Sequence, residues 1–146
     1  MAVKPTAPRT ISGTHGKMFW DGELIFEVTS FEAKIKPNRE TIAFAGDMIA
    51  DSKLMSLEGE VTFKIKKVFS RGQIKLAQAF REGRDPRSQL VGVLSDPDAY
   101  GSERIVLNNV WFNDVTLMSF ESGKISEDEF SGGFTDWSFA DIIRPR

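Results

Sequence analysis

The chain has 146 residues, no cysteine, one histidine and a formal net charge of −2 from 19 basic and 21 acidic side chains. A chain this long forms one domain that buries about 68–70% of its unfolded surface, so it needs neither disulfide nor metal to hold a core. The balanced charge gives no field to collect nucleic acid or an anionic membrane, the missing cysteines exclude a disulfide framework, a thiolate zinc site and a cysteine nucleophile, and no apolar run approaches the roughly 20 residues of a bilayer crossing.

Residues 1–10 carry Lys4 and Arg9 without an apolar core segment. They read as a flexible arm around Pro5 and Pro8, not as a secretory signal. Residues 17–20, Asp21-Gly22 and 23–27 read as a tight hairpin, since Asp-Gly suits the positive φ angles of a type I′ turn. From Thr29 the chain alternates, with Phe31, Ala33 and Ile35 on one face and Glu32, Lys34 and Lys36 on the other, which is the period of a strand. Pro37-Asn38 predicts a turn, after which 40–45 resumes as a strand. Residues 46–56 read as a long excursion between strands. The clearest alternation follows over 57–68, where Val61, Phe63 and Ile65 oppose Glu60, Thr62, Lys64 and Lys66.

Residues 70–82 predict the one helix, with Ser70 as its cap, Ile74, Leu76, Ala77 and Phe80 at helical spacing, and Gly83 as its stop. Asp85-Pro86 predicts a turn, 88–94 a short strand and 95–103 a loop. Residues 104–120 predict a long β region, either bent near Asn108-Asn109 or turned as a hairpin at Asn113-Asp114. Residues 129–140 predict the last strand. There Phe130 and Phe134 keep one parity and Trp137 and Phe139 the other, which a bulge at Gly132-Gly133 would explain. The fold class expected is mainly β, an antiparallel sandwich or open barrel with one flanking α-helix, in a single domain over 1–146.

Chemistry finds little to use. His15 sits in Gly13-Thr14-His15-Gly16 without a Cys, His or nearby carboxylate companion, so it reads as a turn residue rather than a metal ligand or a catalytic base. No catalytic residue, cofactor or metal is expected. The acidic run Glu127-Asp128-Glu129 reads as a solvated loop. Lys64, Lys66, Lys67 and Arg71 read as a wet strand face, because no aromatic interleaves with them as a nucleic-acid platform would require. Met48, Ile49, Leu54 and Met55 in the 46–56 excursion either fold back onto their own core or dock on a neighbouring chain.

Taken together the motifs resemble tail tube proteins of the PBSX-like prophage group, found in contractile tails and related phage-tail-like bacteriocins. The resemblance runs from Ile11 to Ile143. It is carried by Ile11-Ser12-Gly13-Thr14-His15-Gly16 leading into Lys17-Met18-Phe19-Trp20-Asp21-Gly22, by Phe31-Glu32-Ala33-Lys34, by Ala45-Gly46-Asp47-Met48 and Lys53-Leu54-Met55-Ser56-Leu57-Glu58-Gly59, and by Arg84-Asp85-Pro86. Asp96-Pro97-Asp98-Ala99-Tyr100-Gly101-Ser102-Glu103-Arg104-Ile105 and the closing Phe134-Thr135-Asp136-Trp137 complete it.

That resemblance implies a non-enzymatic subunit, six copies of which form a ring and whose rings stack into a hollow tube within a contractile sheath. It implies that Met48, Ile49, Leu54 and Met55 are buried between subunits, and that the lumen is acidic or neutral, with Glu32, Glu58, Glu60 and Glu121 as candidate lumen residues. The implied partners are further copies of the chain, the sheath, baseplate and tail terminator proteins, and the tape measure protein and DNA passing through the lumen. Assembly in the bacterial cytoplasm, without stable membrane association, is implied as well. Two alternatives stay open: a secretion tube of the Hcp-like class, and a small protein- or carbohydrate-binding sandwich using Trp20, Trp111 and Trp137 as a platform.

Overall fold

A computed structural model describes residues 4, 6–70 and 72–144. Part of the expected arm (residues 1–3 and 5) and Arg71 of the basic face therefore lie outside the described residues. The elements are β1 (Gly16–Trp20), β2 (Glu23–Ile25), β3 (Val28–Ile42), β4 (Asp51–Lys66), α1 (Gln73–Arg81), β5 (Ser88–Leu94), β6 (Glu103–Phe112), β7 (Glu127–Gly133) and β8 (Asp136–Asp141). Every pairing is antiparallel. The strands run in the order β2-β1-β5-β6-β7-β4-β3, with β8 beside β6. The result is mainly β and antiparallel with a flanking helix, as expected, and of the expected sandwich or open barrel it takes the form of an open, unclosed sheet.

The β1–β2 hairpin closes through Asp21 and Gly22 at φ 50° and 85°, as a type I′ turn demands. The sheet curls so that inward residues of β1, β4, β6 and β7 meet in one aromatic cluster. Phe63 stacks on Phe130 at 5.1 Å, and Trp20 lies edge-on to both at 5.5 and 5.3 Å. Phe112 completes the cluster 5.3 Å from Trp20. Met18, Leu76, Leu90, Leu107 and Val110 fill the remaining core.

Five expected boundaries are corrected. Pro37-Asn38 is no turn, because β3 runs through it with Pro37 opposite Leu57. β3 ends the strand order, and an edge strand tolerates a residue without an N–H. The 46–56 excursion shrinks to a 43–50 loop, because 51–56 already belongs to β4. Met55 is the extra residue of a bulge between the pairs Asn38–Ser56 and Arg39–Leu54. A bulge breaks period two, which is why this stretch resembled a loop. The 104–120 region stops at Phe112, after bending at Asn108-Asn109, where Asn109 takes φ 56°.

The last strand is two strands, β7 and β8, interrupted at Phe134-Thr135 and not bulged at Gly132-Gly133. The pairs Trp111–Gly133 and Asn108–Asp136 keep one register along β6. The parity change from Phe130 and Phe134 to Trp137 and Phe139 thus accompanies the bend in β6.

The helix also starts later than expected. Ser70 does not cap it; Gly72 does, at φ 69° and without a side-chain bond. Gly72 lies against the Trp20 indole so closely that a Cβ there would enter the ring. This approach turns Leu76 and Ala79 inward and leaves Ile74 and Phe80 exposed. Gly83 ends the helix as predicted, donating to the Phe80 carbonyl at 3.1 Å while Arg84 donates to Ala79 at 2.9 Å.

Candidate assembly surfaces

β4 is one strand in two environments. From Val61 to Lys66 it is held between β3 and β7. From Asp51 to Glu60 its ladder partner is β3 alone; Gly59 still packs on Phe134, and beyond Leu57 the hairpin continues as a two-stranded ribbon. Two strands alone are marginal in water. The four sequence candidates lie here: Met48 and Ile49 stand fully exposed in the 43–50 loop, and Leu54 and Met55 are about half exposed on β4. Phe44 and Leu57 are exposed beside them. Leu54 stands opposite Arg39, and Leu57 opposite Pro37. The inward face of β4 therefore continues past the point where there is a core to face.

Glu32, Glu58 and Glu60 share the outward face of β3 and β4. Each lysine of that face stands opposite a glutamate: Lys34 opposite Glu60, Lys36 opposite Glu58, Lys64 opposite Glu129 and Lys66 opposite Glu127. Lys34 Nζ lies 3.5 Å from Glu60 and 3.9 Å from Glu32. The face is a near-neutral charge lattice, not an acidic wall. Glu121 does not join it; it lies in the 113–126 loop, 3.2 Å from Lys124.

The acidic run is not a solvated loop. It forms β7, with Asp128 buried and 3.0 Å from Lys67 Nζ. Lys67 also donates to Gln73, whose amide reaches the Leu117 carbonyl at 3.1 Å. Lys67 is thereby withdrawn from the expected basic face. His15, half exposed in a short turn, finds the carboxylate that its sequence neighbours lack: Asp96 Oδ1 is 4.0 Å from its Nε2. Asp96 accepts from the Asp98 and Ser12 amides at 2.9 and 3.0 Å. These bonds, with a smaller contribution from His15, hold its carboxyl below the usual carboxylate range. Arg9 donates to the Asp98 carbonyl at 2.8 Å and lies over the Tyr100 ring, so this loop clasps the N-terminal segment.

The tryptophans form no platform. Trp20 is core, Trp111 is capped by the Arg87 guanidinium 5.2 Å from its ring, and Trp137 packs edge-on to Phe134. Among the described residues no group of three metal-ligating side chains converges, and no helix is long and apolar enough to cross a membrane.

A second exposed apolar region escaped the sequence reading. Phe26, Val68, Ile74, Leu117, Met118 and Ile125 are all about two-thirds or more exposed. Hydrogen bonds gather the segments that carry them: Lys66 N to the Glu27 carbonyl at 2.9 Å, Lys67 N to Ser126 at 2.8 Å, and Gln73 to Leu117. The available signal was the adjacent apolar pair. Met48-Ile49, Leu54-Met55 and Leu117-Met118 each break period two, and all are exposed.

The described residues thus leave the sheet open, a long edge strand at its end and two apolar regions exposed. The chain belongs to the phage tail tube protein family, whose pattern matches residues 4–141. It is 30% identical to the phage-like element PBSX protein XkdM of Bacillus subtilis (strain 168) over 139 residues, 94% of this chain and 93% of that protein. Solved structures share the fold, two of them as follows. The anti-feeding prophage tube-terminating cap superposes with a TM-score of 0.73 at 11% identity, covering 97% of this chain and 95% of that one. A chain of the extended sheath-tube complex of the PVC extracellular contractile injection system gives 0.71 at 10% identity, covering 91% and 93%. The protein is a structural tube component of a phage-like tail particle.

Proposed function

We propose that six copies close laterally into a ring and that the rings stack into the hollow tail tube of a PBSX-like contractile particle. The observation that carries this reading is β3, a strand of 15 residues left at the end of the sheet order. An edge that long invites pairing with another chain, and closure into a ring removes the edge altogether.

The outward face bearing Glu32, Glu58 and Glu60 lines the lumen. Its alternating lysines and glutamates offer DNA or a tape measure protein neither a cationic track to bind nor an uninterrupted anionic wall. Glu121 lies outside this lining. Met48, Ile49, Leu54 and Met55 are covered by neighbouring subunits. Sheath, baseplate and terminator proteins are the partners of the assembled tube, which forms in the bacterial cytoplasm. The sheath-tube complex and terminating cap among the structural neighbours support that set. The 30% identity to the PBSX protein over nearly the whole chain favours the contractile phage type over a secretion tube. Negative-stain electron microscopy of the concentrated protein tests the reading: six-fold rings or stacked tubes support it, and rings of another order would replace the hexamer.

A further inference from the structure

The curled sheet does not fill its own interior at one end. A cleft of about 510 Å³ opens there between residues 28–33 of β3 and the facing ends of β1, β5, β6 and β8. Its walls are apolar, with Val28 and Phe31 on one side and Leu94, Ile105 and Phe139 on the other. Phe31 crosses to Gly92, where a Cβ would sit 2.7 Å from its ring. Gly16, paired with Leu94, adds no side chain, and the space beyond Phe31 stays open. A volume of this size lies within the range of about 300–1,000 Å³ typical of small-molecule sites.

One lining residue is out of place in a core. Glu103 has the inward parity of Ile105 and Leu107 along β6. It stands in one cross-strand row with Leu94 and Gly16 and is half-buried. A carboxylate withdrawn from water to the core-facing side of a sheet calls for a cation or a donor beside it. The nearby cations are turned away. Arg104 has the opposite parity, lies 3.5 Å from Asp141 and sits over the Phe19 ring. Lys17 shares that outward row, opposite Val93, and stands exposed at the rim of the cleft. Among the described residues no ion pair joins Glu103.

We propose that this cleft is a binding site for a small organic ammonium ion with an apolar body. The hydrocarbon lies against Phe31, Ile105 and Phe139, and the ammonium N–H groups donate to the Glu103 carboxylate. The apolar walls select a hydrocarbon body over a bare metal ion or a phosphate. The single inward carboxylate selects a cation over an anion, because its bonds to an ammonium are charge-assisted on both sides. The site is complete within one subunit, so it does not depend on the tube reading.

Isothermal titration calorimetry of the dilute, unassembled chain with n-octylammonium, octan-1-ol and octanoate tests the assignment, and amide NMR shifts locate the binding. One octylammonium per chain is expected, about ten-fold tighter than octanol, which is the order of one charge-assisted hydrogen bond. Octanoate should bind more weakly than either, and shifts should appear at Phe31, Gly92 and Ile105. Glu103→Gln should bring octylammonium down to the affinity of octanol. Phe139→Ala changes a half-exposed residue and removes apolar wall only, so it should weaken both ligands by the same factor. Octanoate binding as tightly as octylammonium would assign the polar end to Lys17 and overturn the proposal. An octylammonium affinity unmoved by Glu103→Gln, or shifts confined to the 43–50 and 113–126 loops, would reduce it to adsorption on exposed apolar side chains. Absence of binding by every probe would sink it, and shifts at Phe31, Gly92 and Ile105 that follow protein concentration without ligand would give the cleft to a second copy instead. A chain that binds octylammonium as described yet forms neither rings nor tubes would keep this site and lose the tube reading.

Discussion

The two halves of the β3–β4 hairpin share alternation, backbone pairing and a continuous face, yet they differ in everything else. In the lower half Val61, Phe63 and Ile65 point into an aromatic cluster and are almost fully buried. In the upper half Leu57 faces an open cavity lined by Trp111, Phe134 and Trp137, and Leu54, on the same face beyond it, is about half exposed. The difference teaches that period two specifies a strand and a face, whereas burial depends on what lies opposite. Toward Gly59 the ribbon still meets Phe134, whereas toward the 43–50 loop its apolar side chains are exposed.

The largest expected effect is in the lower half. Phe63→Ala should cost about 3–5 kcal/mol of folding stability, read from urea unfolding of the unassembled subunit. A cost below about 1 kcal/mol would mean that the stack with Phe130 and Trp20 is not the centre of the core. Next comes the seam between the halves. A Cβ on Gly59 would sit 2.6 Å from the Phe134 carbonyl oxygen. Gly59→Ala should therefore destabilise by about 1–3 kcal/mol through overpacking, seen as a lower thermal midpoint.

Asp128→Ala removes the carboxylate from Lys67, which is itself partly exposed. About 1–2 kcal/mol is expected, less than for a fully buried pair. Hydrogen exchange should quicken in the 113–126 loop more than in β1. A smaller, local effect follows from Asp96. Its carboxyl is held below the ordinary range mainly by the Asp98 amide and then by the Ser12 amide. A depressed folded-state pKa contributes stability above the unfolded value and loses it as pH falls through the folded value. Acidification below the usual carboxylate range should therefore release the Ser12 and Asp98 amides before the core opens, and Asp96→Asn should show the same loosening at neutral pH. Amide exchange at those two positions checks both. Smallest of all, Leu54→Ser in the upper half should change subunit stability by no more than about 0.5 kcal/mol.

Much of the fold was legible because local rules and tertiary packing agree there. The Asp21-Gly22 turn, the Val61–Phe63–Ile65 face, the Ser88–Leu94 strand, the Asn108-Asn109 bend and the Gly83 stop all follow from residues whose conformational preferences were met. The failures fall where tertiary context overrides the local signal. Pro37 ends a strand in most settings but not at an open edge. Met55 disguises a strand by bulging it. Gly72 sets the helix entry through a contact with Trp20, 52 residues away in sequence. The exposed apolar regions were half legible. Met48, Ile49, Leu54 and Met55 stood out as apolar residues without a partner. Leu117 and Met118 were hidden by an expected strand that ends at Phe112, and Asp128 by a run of charge that looked solvated.

The central claim is that the body folds on its own and the ribbon serves assembly. The most direct test is electron microscopy of the Met48→Ser/Ile49→Ser double variant beside the unaltered chain at matched concentrations, with thermal unfolding of both. The account predicts stacked tubes for the unaltered chain, and isolated rings or single subunits with an unchanged midpoint for the variant. Tubes from the variant at the same concentration, or a midpoint lowered as far as that of Phe63→Ala, would contradict it.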